Sequence, residues 1–354
     1  MMMTSKTDKT SLRQLWDEYK RSNPTVRTRE IAKHLNVSEA ELVASACDGA
    51  GTVRLNGEWE KIFKSLEDLG PVMALTRNES AVHEKTGVYR NVSFEGHAGL
   101  VLDEQIDLRV FHKRWGSGFA LPVENPQGTL HSFQFFDKQG SAVHKIYVKD
   151  PSVLDRYREI VQTFRSGDQS PGLDVQIEKS EKSGKSREEV DRASFLKSWS
   201  ELKDTHDFIP MLRTYKVERL HALELAEGRF SQEVGNGTVH GVLEKAAGDE
   251  VSIMVFVGNR GMIQIHSGPV HKIRMKGDWL NVLDSTFNLH LRQDLIHRSW
   301  VVEKPTEDGI VTSLELFDDN GDQIVTVFGA RKPGIPEDPS WTGLINEHKT
   351  TEAV

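Results

Sequence analysis

The sequence contains a single cysteine, Cys47, among 354 residues. One thiol can neither close an internal disulfide nor supply a thiolate zinc cluster. No apolar run approaches the ~20 residues that a membrane-spanning helix needs. The opening stretch, residues 1–16, has no apolar core between a basic start and a small-residue cleavage site. That predicts no secretory leader and a cytoplasmic protein. Also missing are a G-x-G-x-x-G turn after a strand, a P-loop, a G-x-S-x-G elbow and an H-E-x-x-H helix. A built-in nucleotide site, an esterase triad and a zinc-protease centre lose their usual signatures with them. Ser194-Phe-Leu-Lys197 matches S-x-x-K, but a pattern with two fixed positions recurs by accident.

What is present is globular in type, with 37% hydrophobic and 28% charged residues and length for two ordinary domains. Lys+Arg 45 against Asp+Glu 53 gives a net charge of −8, which argues against non-specific nucleic-acid binding over the whole surface. Residues 31–42 have the outline of a helix-turn-helix. Their second helix, from Glu39 to Ser45, carries acids and small residues where phosphate and base contacts need Arg, Lys or Asn. A helical hairpin packed on a sheet fits that composition better than a DNA reader. The 14 histidines are scattered, and no pair has the spacing of a closed zinc site.

The chain repeats itself. Shifted by 181 residues, 78–140 meets 259–321 without a gap, and 12 of the 63 positions are identical. Average composition gives roughly 4. The clearest pair is Ser132-Phe-Gln-Phe-Phe-Asp-Lys-Gln-Gly140 against Ser313-Leu-Glu-Leu-Phe-Asp-Asp-Asn-Gly321, each reading as a strand, a Gly-ended turn and a return strand. Helical spacing runs through Leu12-Arg-Gln-Leu-Trp-Asp-Glu-Tyr and Arg29-Glu-Ile-Ala-Lys-His-Leu, with Ser38-Glu-Ala-Glu41 as a capping box. The second half repeats it over 195–215 and 217–227. Val251 to Val257 and Met262 to His266 read as strands about a turn at 258–261. Ten of the 25 residues in 166–190 are charged and four are Leu, Val or Ile, the composition of a solvated linker that cannot order itself. The predicted organisation is an amino-terminal half over 1–165, a polar linker over 166–193 and a carboxy-terminal half over 194–354. The predicted class is α+β, with mostly antiparallel sheets and flanking helices.

Several collinear segments carry a resemblance. They are Asn78-Glu-Ser-Ala-Val-His-Glu84, Glu95-Gly-His-Ala-Gly-Leu100, Ile106-Asp-Leu-Arg-Val-Phe111, Asp204-Thr-His-Asp-Phe208, Phe256-Val-Gly-Asn-Arg-Gly261, Lys304-Pro-Thr-Glu-Asp-Gly309 and Thr312-Ser-Leu-Glu-Leu-Phe317. Together they resemble the cytoplasmic haemin-degrading factors of bacterial haem uptake. The resemblance covers nearly the whole chain outside the linker and tails. It implies a duplicated fold of stacked sheets and a haem bound between the halves. It implies His206 as axial ligand of the iron, Arg109 on the distal face, Phe111 against the porphyrin, and Arg219, Lys304 and Arg331 for the propionates. His83 matches a position tied in some relatives to an additional haem site. The residues also permit plainer readings: Asp204 and Asp207 suit N-cap and N3, putting His206 in a first helical turn, and Arg109 can pair with Asp107 or Glu104. His290 is the repeat partner of Arg109, while no histidine lies near the counterpart of His206 around Val26, which favours one main site. Phe328 stands where relatives can have Tyr, and Ile209 where some have an aromatic.

The activity implied is oxidative opening of the porphyrin with iron release, fed by an external electron donor. The alternative is a haem chaperone that receives haem from an importer and delivers it to a separate haem oxygenase.

Overall fold

A computed structural model describes residues 9–47, 51–96, 98–125, 128–177, 189–331 and 334–351. His97 in one quoted motif and residues 178–188 of the predicted linker lie outside the described residues. The chain packs as two compact units. The first gathers Met1–Arg77, Glu84–Lys179 and Asn259–Gln264; the second gathers Asn78–His83, Ser180–Gly258 and Ile265–Val354.

The first unit opens with helices Lys9–Ser22, Thr28–His34 and Glu39–Ala44. The expected capping box forms: the Glu41 N–H donates to Ser38 Oγ at 3.2 Å, and the Ser38 N–H donates to the Glu41 carboxylate at 2.9 Å. Ile31, Ala32 and Leu42 bury the hairpin against Leu12. Strands Val53–Arg54, Trp115–Asn125, Gly128–Asp137, Ala142–Val148 and Val72–Arg77 follow one another in an antiparallel sheet. A second ladder joins Ser93–Glu95, Ala98–Leu102 and Asp107–Val110. Val72–Arg77 alternates buried and half-buried residues, the period of two that a strand with one covered face requires.

The second unit repeats this plan. Ser231–Val234, Arg298–Thr306, Gly309–Phe317, Gln323–Gly329 and Ile253–Gly258 form its antiparallel sheet, and Ile273–Lys276, Trp279–Leu283 and Phe287–Arg292 its second ladder. The duplicated turns match atom for atom. Asp137 Oδ1 accepts the Gln139 and Ser141 N–H groups, and Asp318 Oδ1 accepts those of Asn320 and Asp322. Gly140 and Gly321 close the turns at φ 82° and 74°, a region that favours glycine. The preceding strands carry a register shift at equivalent places, Phe135/Phe136 and Leu316/Phe317.

Each unit also holds one short segment from the other half of the sequence, and the two segments are related by the same offset of 181. An asparagine begins each. In the second unit Asn78 Nδ2 donates to the Gly258 and Ile324 carbonyls at 3.2 and 2.8 Å while its Oδ1 accepts the Ser80 and Ala81 N–H groups. In the first unit Asn259 repeats this with the Arg77 and Val143 carbonyls and the Gly261 and Met262 N–H groups.

Two expectations are modified. Helical spacing over 195–215 divides into Arg192–Ser200, a 3₁₀ turn Thr205–Asp207 and Phe208–Tyr215. Asp204 caps a new start, and Pro210 has no N–H to give a helix arriving from upstream. Residues 166–177 are fastened rather than loose. Gln169 Nε2 donates to the Arg54 and Ser166 carbonyls at 2.9 and 2.8 Å, and its Oε1 accepts the Arg54 N–H at 3.0 Å. The Arg54 guanidinium adds a bond to the Ser170 carbonyl at 3.0 Å, the Gly172 N–H donates to the Ala44 carbonyl at 3.0 Å, and Leu173 packs on the Phe119 cluster. Ser194, in the S-x-x-K match, spends its hydroxyl on the helix-capping Asp191 at 2.6 Å.

Candidate functional site

The second unit contains the most developed constellation. Asp204 sits at the N-cap of Thr205–Asp207, where its Oδ1 accepts the His206 N–H at 2.7 Å and its own N–H donates to the Asp207 carboxylate at 3.1 Å. The same Oδ1 lies 2.5 Å from His206 Nδ1. The His206 N–H, more than any other group, holds the Asp204 carboxyl below its ordinary range, and the charge of Arg331 adds to it. An ionised Asp204 can only accept, so in the neutral imidazole the proton sits on Nδ1 and Nε2 keeps its lone pair. The His206 side chain is 90% exposed. The result is an oriented imidazole that presents a bare nitrogen outward, the arrangement by which a carboxylate fixes a metal-binding histidine.

A lone imidazole holds a free ion poorly but suffices for an iron that already carries four porphyrin nitrogens. Among the described residues no three His, Cys, Asp or Glu side chains gather as a metal site. The donor set at His206 therefore fits a haem, which needs one axial ligand from the chain. Arg331 is near enough for its charge to act on Asp204 and on Glu337, and its Nη1 is buried without a hydrogen bond among the described residues. Such a guanidinium has a donor to give an incoming carboxylate.

Behind these groups lies a buried ionic cluster. Arg219 clasps Glu315 through Nε and Nη2, each at 2.7 Å, and Lys304 Nζ donates to the same carboxylate at 2.8 Å. Lys304 is 2% exposed and Glu315 fully buried. Burial alone would raise the Glu315 carboxyl; the two cations reverse that and hold it well below the usual range. Burial pulls the Lys304 ammonium down, against the pull of Glu315. Phe208 faces both cations, 5.1 Å from Arg219 Cζ and 4.8 Å from Lys304 Nζ. Phe328 packs edge-on against Phe256 at 5.2 Å and lies 5.8 Å from the same ammonium. Ile209 stays exposed beside His206.

The structure thus brings Arg219 and Lys304 onto one carboxylate and Arg331 close to the cap of His206. Glu315 was missed by sequence reasoning. Its signal was an acid between two leucines, in Ser-Leu-Glu-Leu-Phe, at the repeat position of Gln134. In the first unit, Arg109 on strand Asp107–Val110 is half-buried and ion-paired with Asp107, one of the partners its neighbourhood offered. Phe111 follows it, half-buried, its N–H donating to the Gly261 carbonyl at 2.9 Å. His83, in the second unit, is fully buried with its ring 4.9 Å from that of Phe287.

Comparison with known proteins gives the constellation a family. The model of the haemin-degrading HemS.ChuX domain matches residues 36–164 and 216–348, two copies spaced like the internal repeat. Hemin transport protein HmuS of Yersinia pestis is 36% identical over 336 residues, 95% of this chain and 96% of its own. The crystal structure of holo-PhuS, a heme-binding protein from Pseudomonas aeruginosa, has a TM-score of 0.93 at 40% identity, covering 98% of this chain and 100% of that one. ChuS, an E. coli heme oxygenase, has a TM-score of 0.85 at 34% identity over 96% and 99%. His206 falls between the two matched segments, while Arg109, Arg219, Lys304 and Arg331 fall within them. With its duplication and both repeats matched, the chain belongs to the haemin-degrading HemS.ChuX-domain family.

Proposed function

We propose that this protein binds haem in the cytoplasm through His206 and degrades it oxidatively, using electrons from an external donor. The observation that carries the reading is the His206–Asp204 pair, an exposed imidazole whose Nδ1 proton is fixed and whose Nε2 is open. Haem is the substrate, and its iron and macrocycle supply the redox chemistry of ring opening. The chain's share is binding and orientation. Asp204 sets the tautomer and aim of His206. Arg331 offers its buried Nη1 to a propionate, and Arg219 and Lys304, anchored on Glu315, keep positive potential beside it. Arg109 is the residue assigned to the distal face, and Phe111 the aromatic neighbour of the porphyrin. His83, fully buried against Phe287, is either the candidate for an additional haem contact or a structural residue of the core.

The second reading is a carrier that takes haem from an importer and yields it to a separate oxygenase. It rests on the relatives named for hemin transport. A visible-absorption haemin titration of wild type and His206→Ala, followed by reductant with catalase present, separates the readings. Degradation requires a one-to-one complex whose Soret band vanishes into a new tetrapyrrole product. A band that depends on His206 yet survives reduction makes the protein a carrier. Absence of saturable binding overturns both.

A further inference from the structure

Away from His206, the first unit has an open basin of about 280 Å³ lined by Lys113, Arg114, Lys138, Gln139, Gln176 and Arg260. Four of these six are cations and two are amides; no carboxylate is among them. The four cations and Gln139 come from three separate turns, namely the 3₁₀ turn His112–Arg114, the hairpin turn after Asp137 and the turn opened by Asn259, while Gln176 comes from the stretch 166–177. The turns are tied together by backbone bonds, Lys138 N–H to the Arg114 carbonyl at 3.2 Å and Gln176 N–H to the Lys138 carbonyl at 2.8 Å. The charge of Arg260 acts on Asp137 in the adjoining turn, but the basin still gathers Lys113, Arg114 and Lys138 with no carboxylate among its lining residues, and like charges so placed repel.

The duplication supplies a control within the same molecule. The second unit builds the same turns, with Gln293–Leu295 as its 3₁₀ turn and Asp318 closing its hairpin turn as Asp137 does. At the offset of 181, Lys113 becomes Asp294, Arg114 becomes Leu295, Lys138 becomes Asp319, Gln139 becomes Asn320, and Arg260 becomes Glu79. The fold therefore forms these turns equally well with acids. The basic set is a property of the first unit alone and serves something other than the backbone.

We infer that this basin is a binding site for a phosphate-bearing small molecule, with the phosphates held by Lys113, Arg114, Lys138 and Arg260. Two guanidinium forks and two ammonium groups match the oxygens of a di- or triphosphate, and the glutamine amides add neutral donors. A volume of about 280 Å³ suits a group the size of a di- or triphosphate. Its function is independent of the haem reading, since none of its residues belongs to the His206 constellation.

Calorimetric titration of the full chain with inorganic pyrophosphate, and separately with ADP, tests this. One-to-one binding that weakens as salt rises is expected. Lys138→Asp combined with Arg260→Glu, which installs the residues of the other unit, is expected to weaken it at least ~tenfold. The milder Lys113→Gln should weaken it in the same direction. The haemin titration of each variant should be unchanged, which shows that the variant is folded. ADP binding more tightly than pyrophosphate identifies a nucleotide; equal binding identifies the phosphates as the whole determinant. No saturable binding of either probe, or binding that survives the double variant, overturns the site. A short DNA duplex that displaces pyrophosphate from the basin would also overturn it and assign the basin to nucleic acid.

Discussion

The two units share their turns but not the polarity of their interiors. In the first unit His144 is buried between Thr76 Oγ1, 2.8 Å from Nδ1, and the Tyr89 hydroxyl, 2.5 Å from Nε2. The positions 181 residues on are Val257, Val325 and Val270, all buried in an apolar cluster. The traffic also runs the other way. Glu315 and Lys304 form a buried ion pair in the second unit, where the first has Gln134 and Val123. One architecture thus accepts a hydrogen-bonded triad or three valines at one place, and a charge pair or neutral groups at another. At these two places polar groups come and go together with their partners, and no particular place is required to be polar.

The largest test of that contrast is Glu315→Gln, which gives the second unit the neutral counterpart of Gln134. Removing the carboxylate leaves Lys304 enclosed without its anion, and denaturant unfolding should show a loss of about 3–5 kcal/mol. The sign with pH follows from Lys304. Its ammonium already titrates below the ordinary lysine range because of burial, and loses a partner that held it up. The penalty is present below its folded-state pKa and is relieved as pH rises through it, so the deficit should shrink in alkaline buffer. A deficit constant with pH would mean that Lys304 is not the group left stranded.

Next comes His144→Val. It leaves two hydroxyls enclosed without their partner and should cost about 1–3 kcal/mol for each. The triple change Thr76→Val, His144→Val, Tyr89→Val copies the second unit and should recover much of that loss, offset by the cavity left by the tyrosine ring. Burial also pushes the His144 imidazole down to about 3. The unfolded chain takes up that proton below the ordinary value near 6.5. Wild type should therefore lose stability as pH falls from there toward 3, and the triple variant should lose less over the same window.

The smallest effect is one the units have in common. Asp137→Ala and Asp318→Ala each delete two hydrogen bonds to turn N–H groups that solvent can partly replace. Each should cost about 1 kcal/mol, with Asp137→Ala the costlier, because the charge of Arg260 acts on Asp137 while Glu79 holds the equivalent place in the second unit. Equal losses in melting temperature would mean that the turn bonds alone, and not the charges around them, set the cost.

Much of this was legible in the residues. Aspartate and glycine at a tight turn have chemistry that few others share, so Asp137 to Gly140 announced its partner at Asp318 to Gly321. Ser38 with Glu41, and Asp204 with Asp207, marked their caps for the same reason. The segment exchange was not legible, because Asn78 and Asn259 look like ordinary turn residues and local sequence does not record which distant carbonyls they reach. Gln169 was equally silent, since one amide in a polar stretch leaves the composition unchanged. At the candidate site, residue types suggested the cap of His206 and resemblance suggested its ligand role. Glu315 escaped notice because a strand alternation cannot announce two cations arriving from elsewhere in the chain.

The exchanged segments bear on how the protein is made. Asn259 closes bonds to carbonyls 182 and 116 positions earlier, at Arg77 and Val143. A nascent chain emerging from the ribosome cannot finish its first unit until Asn259–Gln264 have been made, long after Arg77 and Val143. Until then that unit waits with an incomplete edge, and its completion is a late, long-range closure of the slow kind.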